Sequence, residues 1–159
     1  MSCGLDPITE KRKEEAKRKV IHTSRFSDLA KDFIEEKKFE WRNTKHRKQW
    51  ASTLETYAYK ILDSKPIEDI EVQDVMRVLK PIWVKKTVTA QRVMQRIAKV
   101  MGKGKSLGLY HKDNPAIWKG NLEFHFGDPF KINKVRHHPA MPYKTLPTFY
   151  KLLMKQSSL

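Results

Sequence analysis

Between Thr87 and Lys103, Ala90, Val93, Ile97 and Val100 recur at helical spacing, and Arg92, Arg96, Lys99 and Lys103 recur at the same spacing on another side. A segment with this pattern is expected to form a helix that buries one face and keeps the other charged. No acidic residue occurs between Asp74 and Asp113, while Arg77, Lys80, Lys85, Lys86, Lys105 and Lys112 join the stripe's cations in that interval. Neighbouring cations without interleaved carboxylates repel one another, so the arrangement lowers stability unless something negative lies across it.

The whole chain points the same way. Its 159 residues carry a net charge of +15 and a pI near 9.9, a field that attracts nucleic acid or an anionic membrane surface. No apolar run approaches the roughly 18 residues of a membrane span, and no amphipathic anchor is evident, so nucleic acid is the expected partner and no membrane contact is expected. A hydrophobic content of 39% with four Trp suffices for one compact core. The single cysteine, Cys3, allows no internal disulfide and no thiolate zinc cluster. His137 and His138 lack Cys partners and helical i, i+4 spacing, so no metal or other cofactor is expected. A turn beside Pro139 accounts for them.

Along the chain the pattern is helical throughout. Asp6 and Pro7 read as a helix start, and the charged stretch to Lys19 offers only Ala16 and Val20 for burial, as a projecting linker would. Ser24 and Ser27 can cap a helix from Ser27 to Phe39 with Phe26, Leu29, Ala30, Phe33 and Ile34 inward. Thr44 can cap a longer helix with Trp50, Leu54, Tyr57 and Ile61 inward, whose basic start, Lys45 to Gln49, opposes the helix dipole unless phosphate caps that end. Ile67 to Ile70 forms an apolar turn, and Glu71 or Asp74 opens a third helix with Val72, Val75, Met76 and Leu79 inward. Pro81 is expected to stop or kink it near Lys80, with Trp83 packing as a structural cap. Gly102, Gly104 and Gly108 close the fourth helix as C-caps or a flexible exit; with no preceding strand they do not form a phosphate loop. Leu122, Phe124 and Phe126 read as a short helix or irregular wrap, Gly127 to Pro129 as a turn, and Thr145 to Lys155 as an amphipathic helix using Leu146, Phe149, Tyr150 and Leu153.

Several motifs in this order resemble one family. They are Phe26-Ser27-Asp28-Leu29-Ala30, Trp41, Lys45-His46-Arg47-Lys48-Gln49-Trp50, Lys80-Pro81-Ile82-Trp83, Lys86-Thr87-Val88-Thr89-Ala90 with Arg92, and Asn114-Pro115-Ala116 with Trp118-Lys119-Gly120. Together they are similar to the phage P4-type integrases, tyrosine site-specific recombinases, from about Phe26 to Tyr143. The resemblance implies an all-α, SAM-like orthogonal bundle of four to five helices, the core-binding domain of such enzymes. It implies residues 1–23 as a charged helical linker ending an N-terminal arm-binding domain; the charged stretch with so little to bury itself reads as the tail of an upstream domain and marks Met1 as an expected truncation start. Residues 24–130 would be the core-binding domain, and residues 131–159 the linker and first helix of a catalytic domain.

No catalytic residue is expected in this chain. The family's cationic clamp and Tyr nucleophile lie downstream of the matching region, and no Arg follows Arg136. His22-Thr23-Ser24-Arg25 spells His-x-x-Arg only by chance, and Tyr143 and Tyr150 are read as packing residues. The implied function is gripping duplex DNA at the recombination core sites of a prophage or genomic-island integrase, in the bacterial cytoplasm at the nucleoid. The parent would be tetrameric on DNA and the fragment monomeric. The candidate contacts are Lys45, His46, Lys48 and Gln49, with Lys86, Thr87, Thr89, Gln91, Arg92, Arg96, Lys99 and Lys103. Gln91 and Arg92 are assigned to base edges, and Lys86, Lys99 and Lys103 to positioning on phosphates. Two other readings are a SAM-like protein-interaction module using the C-terminal helix, and a sequence-nonspecific nucleic-acid binder, which would need exposed aromatics for stacking.

Overall fold

In the computed structural model, residues 8, 10–12, 15, 23–41, 43–133 and 139–156 are described. The expectations for Asp6, Pro7, Ala16, Val20, His22, Arg136, His137 and His138 lie outside them. The described chain is all helical. Helix α1 (Phe26–Lys37) leads to α2 (Thr44–Leu54), which passes through a π-helical turn at Glu55–Tyr59 into the short α3 (Lys60–Leu62). A 3₁₀ turn at Ile67–Asp69 precedes α4 (Val72–Trp83) and the long α5 (Thr87–Ser106). A 3₁₀ turn at Leu122–Phe124, α6 (Pro129–Ile132), another 3₁₀ turn at Tyr143–Thr145 and α7 (Leu146–Gln156) follow.

Helix α5 is the axis of the bundle, with α1, α2 and α4 packed on it. Ala90, Val93, Ile97 and Val100 are all buried, as their spacing requires. Burying Val93, Ile97 and Val100 yields ~1.5–3 kcal/mol each, which outweighs repulsion of a few tenths of a kcal/mol per cation pair on the opposite face. The basic stripe is therefore tolerated because the other face is core.

The helix ends differ from expectation. Helix α1 starts at Phe26 with Arg25 as N-cap and no side-chain cap of its own. Asp63, from the far end of the α2–α3 arm, takes that role by accepting the Ser27 N–H at 2.8 Å, while Arg25 Nη1 donates to the Asp63 carbonyl. Asn43, not Thr44, caps α2, accepting the Lys45 N–H at 2.9 Å. Its carbonyl accepts from His46 and Arg47, so these first-turn donors are satisfied without phosphate. The π turn shifts the buried face to Trp50, Leu54, Ala58 and Leu62, leaving Tyr57 and Ile61 only partly buried.

Helix α4 runs through Pro81 to Trp83. Pro81 stands in the last turn, where losing its N–H removes only the bond to the Arg77 carbonyl. Trp83 holds that turn from outside, donating Nε1 to the Gly127 carbonyl at 2.9 Å and stacking on Trp118. Of the glycines expected to close α5, Gly102 and Gly104 lie inside the helix. The C-cap is Leu107, followed by Gly108 at φ +68, with Leu109 N–H bonded to Gly104 O and Gly108 N–H to Lys105 O, the Schellman pattern. Asn114 then clips the following segment to α5, its Nδ2 donating to Ala98 O at 2.7 Å. Helix α7 has no buried residue.

Candidate nucleic-acid interface

Where α2 crosses α5, the two bound a cleft of about 380 Å³. Trp41, His46, Gln49 and Trp50 line one wall; Arg92, Gln95, Arg96 and Lys99 line the other. The lining contains no carboxylate. The packing of α1 and α5 against α2 sets this wall: Trp50 is buried between the stacked Phe33 ring, 5.5 Å away, and the Arg96 guanidinium, 5.1 Å from its centroid. Trp41, half-buried, lies 5.1 Å from Trp50 and meets the exposed His46 ring edge-on at 5.0 Å.

Arg96 is 7% exposed and donates from Nη1 to the Gln49 carbonyl at 2.7 Å. Burial, with Arg92 nearby, pushes its guanidinium below the ordinary arginine value. Among the described residues no carboxylate compensates it. Lys99 Nζ lies 5.8 Å from the Trp50 ring.

A second cleft, about 330 Å³, opens at the N-terminus of α5 between Lys85 to Thr89 and the end of α6 at Ile132 and Asn133. The first turn of α5 has no acidic residue and no side-chain cap. Lys86 Nζ sits 3.4 Å from the Tyr57 hydroxyl, tying this end to the π turn.

The candidate residues thus separate into groups. His46, Gln49, Arg92, Arg96 and Lys99 share the main cleft, while Lys86, Thr87 and Thr89 line the second. Lys45 and Lys48 are exposed along α2, and Gln91 lies partly exposed outside both clefts. Thr87 is buried, and its hydroxyl donates to the Val84 carbonyl. Lys103 pairs with Glu36 at 2.8 Å, and Lys105 with Asp113. The acid-free interval is therefore partly neutralised at both ends, by Asp74 on Arg77 and by Glu36, Asp113 and Glu71 on Lys103, Lys105 and Lys112. Among the described residues, Lys45, Lys48, Lys86, Arg92 and Lys99 have no carboxylate within ion-pair distance. Sequence reasoning missed Trp41, Trp50 and Gln95 as lining. Gln95 was legible in principle, since it continues the Arg92 and Lys99 side of α5.

The described residues thus form a small all-α bundle with a basic, carboxylate-free cleft between two of its helices. The chain belongs to the phage integrase central domain family, which it matches over residues 26–121. It is 24% identical over 156 residues to Prophage integrase IntZ of Escherichia coli (strain K12), covering 98% of this chain and 37% of that protein. The chain thus spans little more than a third of the length of this relative. The solution structure of protein Nmul_A0922 from Nitrosospira multiformis superposes with a TM-score of 0.56 at 38% identity, over 64% of this chain and 95% of that one. Among the described residues no helix is long and apolar enough to cross a membrane.

Proposed function

We propose that residues 24–130 are the DNA-gripping, core-binding domain of a site-specific integrase. Residues 1–23 and 131–159 would belong to the joints with an arm-binding and a catalytic domain, and the chain itself would not be catalytic. The observation that carries this reading is the carboxylate-free cleft between α2 and α5, flanked by cations that have no carboxylate partner among the described residues. Lys45, Lys48, Lys86 and Lys99 meet phosphates, since a flexible ammonium reads charge better than pattern, and Arg92 with Gln91 reaches base edges. Arg96 orders the cleft by tying Gln49 to α5, and Lys103 is held by Glu36.

The test is titration of the protein against a labelled duplex carrying a candidate core site and an equal-length scrambled duplex, at two salt concentrations. Salt-sensitive binding that prefers the core site supports the reading. Absence of binding to either duplex overturns it.

A further inference from the structure

The main cleft is larger and more aromatic than phosphate contact requires. Its volume of about 380 Å³ falls in the range of roughly 300–1,000 Å³ typical of sites for small organic ligands. One wall is built largely from planar rings, whose faces offer a phosphodiester no hydrogen bond. Trp50 cannot offer a face, being covered by Phe33 and Arg96, but Trp41 is half-buried and His46 exposed, their rings meeting at 72°. Opposite them stand Arg92 and Lys99, with the Gln95 amide between.

We propose that this cleft accommodates one nucleoside monophosphate unit presented outside a helix. Its base stacks on Trp41 or His46 and its phosphate lies against Arg92 and Lys99. Within a paired duplex each base has both faces covered by its neighbours, so only an unpaired nucleotide can use such a wall. The inference rests on the DNA-binding reading of the same site and adds a preference for unpaired nucleotides.

Two duplexes of identical backbone test it: one carries a single bulged adenosine, the other an abasic residue at the bulge, so they differ only in the base. Stacking predicts at least about fivefold tighter binding of the adenosine bulge. His46→Ala, which removes an exposed ring and leaves the core intact, should shrink that ratio toward one. Equal affinity for the two bulged duplexes overturns the cleft proposal while leaving the DNA-binding reading standing. If neither duplex binds, the DNA-binding reading fails. The cleft is then judged by adenosine monophosphate against ribose 5-phosphate, followed through the Trp41 indole N–H resonance. A shift with the nucleotide alone supports a free-nucleotide site; no shift, or equal shifts, overturns it.

Discussion

Arg96 donates from Nη1 to the main-chain carbonyl of Gln49 at 2.7 Å while its guanidinium covers the Trp50 ring, so one side chain fixes α2 against α5. A charged, largely buried hydrogen bond of this kind contributes about 1.5–3 kcal/mol. Arg96→Ala should therefore lower the urea midpoint by the equivalent of about 2–3 kcal/mol, and Arg96→Met, which keeps the aliphatic stem, by less. Identical midpoints for wild type and Arg96→Ala would show that the tie adds nothing.

Two glycines of α5 should respond differently to the same change. A Cβ at Gly104 would sit 3.1 Å from Leu29 Cδ2 and 3.2 Å from Ile67 Cδ1, both buried, whereas at Gly102 it would meet nothing within 4 Å. Gly102→Ala should stabilise by up to about 1 kcal/mol through helix propensity alone. At Gly104 the same gain is offset by overpacking of about 1–3 kcal/mol. We expect Gly104→Ala to be the less stable of the pair in thermal denaturation by at least about 1 kcal/mol. A Gly104→Ala melting point at or above that of Gly102→Ala would contradict the close packing of α1 on α5.

These cases mark what the sequence could and could not reveal. The buried face of α5 was legible because Ala90, Val93, Ile97 and Val100 carry a periodicity that only a helix explains. Trp83 as a structural cap was legible from its position beside a proline. Gly104 was not, because a helical glycine and a capping glycine look alike until the opposing Leu29 is known. The shift of burial from Tyr57 and Ile61 to Ala58 and Leu62 follows from a π turn that no local composition announces. The basic stripe showed which residues were cations but not which were already occupied. Glu36 on Lys103 and the Gln49 carbonyl on Arg96 come from distant segments brought close only by folding.

Asp74 sets the acid limb of stability. Burial raises its carboxyl pKa, but Lys65 at 2.7 Å, the Glu71 N–H of the capping box and Arg77 outweigh that, and the net direction is down from 3.8. A lowered folded-state pKa means that the stabilisation is fully present above the unfolded value and is lost as pH falls through the folded one. Stability should fall below pH about 4. Asp74→Asn should be less stable at neutral pH, by about 1–3 kcal/mol, with a flatter acid limb in denaturation at stepped pH. An unchanged acid limb would mean that another group controls it.

Tyr110 sets the alkaline limb. Its buried hydroxyl lies 3.1 Å from the Ile70 carbonyl and 3.2 Å from that of Asp113, sharing its proton between them, and burial pushes its pKa up to about 12. A raised pKa on a group that is neutral when protonated gives stability present below the unfolded value of 10.0 and lost as pH rises toward 12. Tyrosinate absorbance should show one tyrosine, absent in Tyr110→Phe, that ionises last. Absence of any such late-ionising tyrosine would rule out the buried hydrogen bonds.

The salt dependence of DNA binding separates cations that meet phosphate from those that build the cleft. With about four phosphates neutralised by Lys45, Lys48, Lys86 and Lys99, log affinity should fall against log salt with a slope near −3 to −4. Lys99→Ala should weaken all sequences about equally and reduce the slope by about 1. Arg92→Ala should weaken binding by roughly 1–3 kcal/mol and relax sequence preference; equal losses on core-site and scrambled duplexes would remove it from base readout. Arg96→Met should leave the slope intact even where affinity falls, because its guanidinium is engaged by Gln49 and Trp50. A slope reduced by about 1 in that variant would instead make Arg96 a phosphate contact.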